Sequence, residues 1–466
     1  MATMAGLPLR SAQGRWVVLA TTLASAIALL DGTVVNVALR PIAVDLGATL
    51  TDLQWVVNAY MLTLASLILV GGSLGDRLGR RRIFLAGIVW FGAASLLCAV
   101  ATNADLLIVA RGLQGIGGAL LTPGSLALIQ SLIAEEDRPR AIGYWSAWSG
   151  VAAAAGPLLA GGLIEAFTWR AVFFINVPIV VAVVVITARH VPESRGDTRE
   201  GRFDVLGAGL GVLALGGVTI GLIERSWAAG LIGAAIAVVF VLTQARLRHP
   251  MLPLTIFADR TFSAVNVVTF VVYGALGALM FFLILYLQVV AGYSPLAAGA
   301  ATIPFTVLML LFSPRVGSLL TVTGPRLLMT AGPLTAAAGV LLLATIPAEA
   351  SYLRHVLPGV VVFGIGITLL VTPLTATVLA AAPASHVGLA SGVNNAVARA
   401  ASLLAVAALP AAVGLGGSEG ALVAEAFAPG YVRAMWWCAG LLAAGAAIAA
   451  AFVPGRRSAA APAAGL

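Results

Sequence analysis

A chain of 466 residues that is 61% hydrophobic and 9% charged is not a water-soluble domain, since soluble domains carry roughly 25% charged residues. The net charge of +8 is the excess of 26 basic residues, all arginine, over 18 acidic ones, and it sits in short segments between apolar runs; this argues against a nucleic-acid surface and for membrane orientation by the positive-inside rule. Cys98 and Cys438 lie within apolar runs, and His190, His249, His355 and His386 are scattered, so neither a disulfide framework nor a metal site is expected.

In chain order, apolar runs long enough to cross a bilayer fall near residues 16–38, 54–75, 83–101, 105–131, 141–165, 170–188, 204–223, 228–245, 264–290, 295–317, 326–345, 356–380, 387–413 and 432–453, which makes fourteen. Ala24-Ser25-Ala26 in the first run resembles a cleavage site, but apolar sequence continues past it, so an uncleaved first helix is expected. With the N-terminus inside, roughly 19 arginines fall in cytoplasmic segments and roughly 5 outside. The clusters Arg77/Arg80/Arg81/Arg82, Arg189/Arg195/Arg199/Arg202 and Arg246/Arg248/Arg260 dominate that asymmetry and place both termini in the cytoplasm. Abundant Ala and Gly and the absence of Lys fit a GC-rich bacterial genome, hence a bacterial cell inner membrane.

The chain repeats itself. Gly72-Ser-Leu-Gly-Asp-Arg-Leu-Gly79 opens a glycine-rich polar turn that runs to Ala86-Gly87, and Gly317-Ser-Leu to Ala331-Gly332 aligns with it 245 residues later without a gap. The fourth span holds Gly115-Ile-Gly117 before Pro123, and the twelfth holds Gly364-Ile-Gly366 before Pro373, an offset of 249. Six spans with short loops need about 190 residues, so the offset leaves room for two extra helices. The expected organisation is an all-α integral membrane protein of two six-helix halves: residues 1–188 form the first, 189–260 a linker with two inserted helices (the seventh and eighth spans), and 261–466 the second. Parallel repeats of this kind are a mark of secondary transporters.

These residues resemble the major facilitator superfamily, and specifically its fourteen-spanner drug:proton antiporter branch. Gly72–Gly87 is similar to the family's loop motif between the second and third helices, Leu30–Leu39 to the first-helix signature of the branch, and Ala110–Gly118 to the fourth-helix motif. Gly150, Gly156-Pro157 and Gly161-Gly162 match the fifth-helix antiporter motif. The resemblance implies that Asp76, Arg77, Gly79 and Arg80, with Arg81 and Arg82, form a conformational latch. The second copy has Thr321-Val322 where the first has Asp76-Arg77, and the tenth and thirteenth spans carry no carboxylate, which weakens any expectation of dication recognition.

Asp31 lies about 15 residues into the first span, roughly 22 Å from the inner surface at the helical rise. A carboxyl at that depth is expensive and usually functional; a proton-coupling site and a structural Asp bonded to a neighbouring helix are the two readings. Arg111 lies roughly 9 Å below the outer surface on the fourth span, the same level in a core about 30 Å thick. The two are expected to pair, as a switch or as a permanent ion pair, with Gln114 one turn along able to bond either. Pro157 and the glycines of the fifth span suit a tight helix seal or ordinary close packing. Asp76 is placed to meet a helix start, where N–H groups favour an anion.

For a substrate cavity the candidates are Gln114, Trp148, Tyr286, Gln288, Asn394, Asn395 and Arg399. Tyr144, Trp145, Phe281 and Phe282 belong to the same aromatic groups, which are equally suited to interfacial anchoring. Glu165 and Glu224 fall near outer helix ends and are expected to be solvated. No lysine means no phosphate-binding loop, so energy must come from an ion gradient.

The expectation is therefore a monomeric, non-enzymatic, multi-pass secondary transporter without cofactor or metal. Its partners would be protons, membrane lipids and a small hydrophobic or amphipathic substrate such as a drug or antibiotic, exported in exchange for protons. A lipid or glycolipid exporter of the same fold and a proton-coupled importer are the alternatives.

Overall fold

The computed structural model describes residues 6–195, 204–247, 250–382, 387–416 and 420–455. Arg199, Arg202, Arg248, His249 and His386 lie outside the described residues. The fold is all-helical, with fourteen helices long and apolar enough to cross a membrane among the described residues. In chain order these are α1 (Ala12–Leu46), α2 (Leu50–Leu78), α3 (Arg80–Ala99), α4 (Ala104–Leu132), α5 (Arg138–Ala166), α6 (Ala171–His190) and α7 (Val205–Ile223). They continue as α8 (Trp227–Arg246), α9 (Arg260–Val289), α10 (Pro295–Thr323), α11 (Pro325–Leu343), α12 (Tyr352–Ala381), α13 (Leu389–Ala412) and α14 (Ala424–Phe452).

Several helices overrun their apolar runs. The run marks the membrane-crossing stretch, whereas capping decides where the backbone stops. α1 begins at Ser11, whose Oγ accepts from Gly14 N at 3.0 Å, and ends at Gly47, whose φ of 64° lies in the left-handed region. Such a glycine terminates a helix without the steric cost of a Cβ. α2 opens on a reciprocal capping box between Thr49 and Asp52.

The chain forms two compact units. The first comprises Met1–Leu252, Ile284–Ala300 and Pro410–Phe427, and the second Pro253–Leu283, Ala301–Leu409 and Ala428–Leu466. In the first unit, α3 packs on α4 through Gly87 and Gly117: a side chain at Gly87 would come within 3.1 Å of Gly117 O, and one at Gly117 within 2.7 Å of Phe91 N. In the second unit, α11 packs on α12 through Gly332 and Gly366 in the same manner. A side chain at Gly332 would approach Gly366 O to 2.8 Å, and one at Gly366 would collide with Ala336 N. Phe91 and Ala336 each lie four residues after the paired glycine. Both copies thus use small residues to bring two backbones together, which is how helices associate where apolar burial supplies no drive.

Helices α7 and α8, which the sequence reading expects to be the insert, form a hairpin in the first unit. Gly217 faces Gly233 and Gly221 faces Gly230. Asp204 caps α7 by accepting from Gly207 N at 2.7 Å and is joined to α8 by Gln244 Nε2 at 2.5 Å. Trp227, Leu231, Ile232 and Val238 are exposed, an apolar outer surface that suits lipid and not water. Glu224 accepts from Trp55 Nε1 at 2.6 Å, and Glu165 accepts from Leu296 N at 3.1 Å. Both carboxylates are exposed, as expected, and each also holds a neighbouring helix.

Candidate functional site

Inside the first unit, Asp31 and Arg111 are buried, at 0% and 1% exposure. Arg111 Nη1 donates to Asp31 Oδ2 at 2.5 Å. One turn further along α4, Gln114 Nε2 donates to Asp31 Oδ1 at 2.8 Å and to Ser95 Oγ of α3 at 2.9 Å, while Gln114 Oε1 accepts from Arg111 Nη1 at 2.5 Å. Arg111 Nε donates to Val56 O of α2 at 3.0 Å, and the guanidinium lies over the Tyr60 ring, 4.3 Å from its centroid. Asn176 of α6 completes the enclosure, its Nδ2 3.4 Å from Asp31 Oδ1 and 3.3 Å from Ser95 Oγ.

Five helices (α1, α2, α3, α4 and α6) therefore contribute to the surroundings of the Asp31–Arg111 pair. Two opposite charges in a medium that solvates neither must satisfy each other, and here Val56 O, Gln114 and Asn176 add hydrogen bonds to the pair. Ser95, Asn176, Val56 and Tyr60 were not anticipated from sequence. Asn176 carries a faint signal as a lone amide in an otherwise apolar span; the backbone carbonyl of Val56 carries none.

The junction of α2 and α3, where only Gly79 lies between the helices, carries a second charged cluster. Asp76 pairs with the side chain of Arg80, the first residue of α3, with Oδ1 at 2.7 Å from Nη2 and 2.8 Å from Nε. Gly79 has φ 115°, a conformation that favours glycine. The backbone N–H groups of Arg80 and Arg81 that open α3 are met not by Asp76 but by Ser194 O and the Glu193 carboxylate, just beyond α6. Glu193 Oε1 accepts from Arg81 N at 3.0 Å and from Ser194 N at 3.1 Å, and Oε2 lies 3.8 Å from Arg82 Nε. Arg80 N donates to Ser194 O at 2.8 Å and Arg81 Nη2 to Ala188 O at 2.6 Å. Sequence reading missed Glu193 because nothing local links it to residues more than a hundred positions earlier.

On α5, Gly156 sits against Thr33 of α1 and Gly161 against the Leu296 backbone, so a side chain at either would collide. Gly150 and Gly162 have open space, and Pro157 O faces Gly299. Only part of the glycine series makes close contacts. Trp145 pins α5 to α1 through Nε1 donating to Ser25 Oγ at 2.8 Å.

A cavity of about 980 Å³ lies between α1 and α5, with Trp148 and Tyr144 on its wall. The other cavity candidates lie elsewhere. Gln114 is enclosed with Asp31, Tyr286 is buried, and Gln288 Nε2 donates to Val37 O at 3.0 Å. Asn394, Asn395 and Arg399 belong to the second unit. There Asn394 Nδ2 donates to Thr269 Oγ1 at 2.8 Å, Asn395 Nδ2 donates to Ser391 O at 3.0 Å, and Arg399 is half-buried. Among the described residues no cluster of His, Cys, Asp and Glu has metal-site geometry.

A helical, multi-pass membrane protein with a repeated glycine-packed core and an enclosed intramembrane charge pair belongs to the transporter class. The chain is a member of the major facilitator superfamily, whose family model matches residues 21–406. It is 36% identical over 407 residues to the puromycin resistance protein pur8 of Streptomyces alboniger, covering 84% of this chain and 80% of that one. It is 33% identical over 392 residues to the multidrug resistance protein Stp of Mycobacterium tuberculosis, covering 81% and 72%. The solved structure of the peptide transporter POT in complex with sulfate matches with a TM-score of 0.69 at 14% identity, covering 95% of each chain, a likeness of fold alone.

Proposed function

We propose that the chain is a proton-coupled antiporter of the bacterial inner membrane, with both termini cytoplasmic, that exports hydrophobic or amphipathic drugs or antibiotics. The relatives named for puromycin and multidrug resistance support efflux. The observation that carries the coupling is the enclosed Asp31–Arg111 pair with its Gln114 bridge.

On the outward side, a proton added to Asp31 cancels the charge that holds Arg111, and the guanidinium is left to its Val56 carbonyl, Gln114 and Tyr60 contacts. On the inward side, loss of the proton restores the pair as substrate binds. A buried ionisable group whose partner is lost on protonation is a local electrostatic event able to bias a two-state structure. The cluster of Asp76, Arg77, Gly79, Arg80 and Glu193 is the latch that holds one of those states. The close contacts of Gly156 and Gly161 seal α5 against uncoupled proton passage.

The test is transport in proteoliposomes under an imposed pH gradient, with puromycin and a panel of acidic, neutral and basic amphipathic dyes. Wild type should drive substrate against its gradient and move protons the opposite way, and Asp31→Asn should lose the proton-driven component. Unchanged proton-driven transport in Asp31→Asn removes Asp31 from the mechanism. Proton and substrate moving in the same direction would make the protein an importer.

A further inference from the structure

The cavity between α1 and α5 has a chemical polarity of its own. The two helix starts are tied together: Leu9 N donates to Asp137 Oδ2 at 2.8 Å, and Leu7 and Ile133 form a short parallel bridge. Arg10, Arg15 and Arg140 line the cavity at this end. Further along, Tyr144 and Trp148 follow Arg140 at four-residue steps on one stripe of α5, and Leu19 and Leu23 follow Arg15 on α1, the spacing that puts residues on one helix face. Tyr144 and Trp148 line this space and are 56% and 62% exposed.

Among the described residues, none of the three guanidinium groups lies within ion-pair distance of a carboxylate. The one acid on the wall, Asp137, already accepts from Leu9 N. Glu135 and Glu136 precede it but do not line the cavity. Thr22 also lines the space, is only 7% exposed, and its Oγ1 has no hydrogen-bond partner among the described residues. A buried hydroxyl left this way costs free energy unless something bonds it.

We propose that this cavity takes amphipathic anions, with a carboxylate or sulfonate head between Arg10, Arg15 and Arg140, an apolar body against Tyr144 and Trp148, and a polar substituent on that body reaching Thr22. This deepens the efflux reading and rests on it: the exported compounds include acids carrying a bulky ring system. Guanidinium forks match planar oxyanions, and their charge-assisted bonds are the strong ones; the aromatic rings supply the broad apolar contact typical of ligand cavities. The same chemistry describes an anionic lipid headgroup with its chains, so the test separates the two.

Equilibrium binding is measured by fluorescence on the full chain in phosphatidylcholine nanodiscs, with 9-anthracenecarboxylate and its uncharged carboxamide as probes and no proton gradient present. Wild type should bind the acid about 10-fold more tightly than the amide. Arg15→Gln/Arg140→Gln should cut that preference to about 2-fold or less while the amide is unaffected, which also shows that the variant is folded. Trp148→Ala should weaken both probes by a similar factor. Equal binding of acid and amide by wild type overturns the proposal. Loss of the acid preference in nanodiscs of equal parts phosphatidylcholine and phosphatidylglycerol would instead assign the arginines to lipid headgroups and overturn the substrate assignment. Because binding is read without a gradient, failure of proton coupling leaves this measurement unmoved.

Discussion

Gln114 joins the two charges it lies beside: its Nε2 donates to Asp31 Oδ1 at 2.8 Å and its Oε1 accepts from Arg111 Nη1 at 2.5 Å. The amide is thereby oriented by both members of the ion pair and by Ser95. Replacing Gln114 with Leu leaves one carboxylate oxygen with only the long Asn176 contact, and an under-bonded buried charge costs about 1–3 kcal/mol. Gln114→Leu should lower the thermal unfolding midpoint in detergent, and Gln114→Glu, which sets a second carboxylate beside Asp31, should change the pH dependence of transport. An unchanged pH profile in Gln114→Glu would mean that Gln114 is not coupled to Asp31.

The pair itself predicts a non-additive cycle. Removing one partner of a buried ion pair strands the other, at about 3–5 kcal/mol, whereas replacing both with apolar groups is far less costly. Arg111→Leu should therefore destabilise the protein more than Asp31→Leu/Arg111→Leu. Unfolding midpoints of the two single variants and the double variant give the coupling, and additive effects would show that the pair contributes little.

Glu193 offers a test of the α2–α3 junction. Its carboxylate meets an N–H group at the start of α3, an arrangement worth about 1 kcal/mol. Glu193→Ala should raise amide hydrogen exchange in the first turn of α3, residues 80–83, and leave the opening of α4 unaffected. Uniform exchange across both helices would place the role of Glu193 elsewhere.

The fifth-helix glycines should divide into two groups. Gly161→Val meets the Leu296 backbone and Gly156→Val meets Thr33, and forced overpacking costs about 1–3 kcal/mol. Gly150→Ala and Gly162→Ala enter open space and should be neutral to mildly stabilising, because alanine favours a helix over glycine. If the seal reading holds, Gly161→Val also raises passive proton leak in liposomes while Gly162→Ala does not.

The repeat predicts matched responses. Gly117→Ala meets Phe91 N, and Gly366→Ala meets Ala336 N; each should cost about 1–3 kcal/mol by pushing two backbones apart. Thermal unfolding of the two single variants compares the α3–α4 contact with the α11–α12 contact directly. A large cost in one and none in the other would mean that the copies no longer pack alike.

The number of membrane helices, their order and the glycine repeat were determined by the sequence alone, because each follows from a local run of apolar residues or from self-similarity along the chain. Even the level of Asp31 and Arg111 followed from helical rise, since a membrane-crossing helix turns residue number into depth. Which groups enclose them did not follow. The Val56 carbonyl reaches Arg111 and the Asn176 amide reaches Asp31 by the rotation of α2 and α6 about their axes, and near-uniform hydrophobicity around a membrane helix hides that rotation. The same holds at the α2–α3 junction, where Glu193 and not Asp76 meets the start of α3. Tyr286 and Gln288, read as cavity residues from their type, proved to be buried, while Arg10, Arg15 and Arg140 line a cavity that only the joining of two distant helix starts creates. Depth is a one-dimensional property and is written in the chain; facing and partnership depend on how helices turn toward one another, and only tertiary packing decides them.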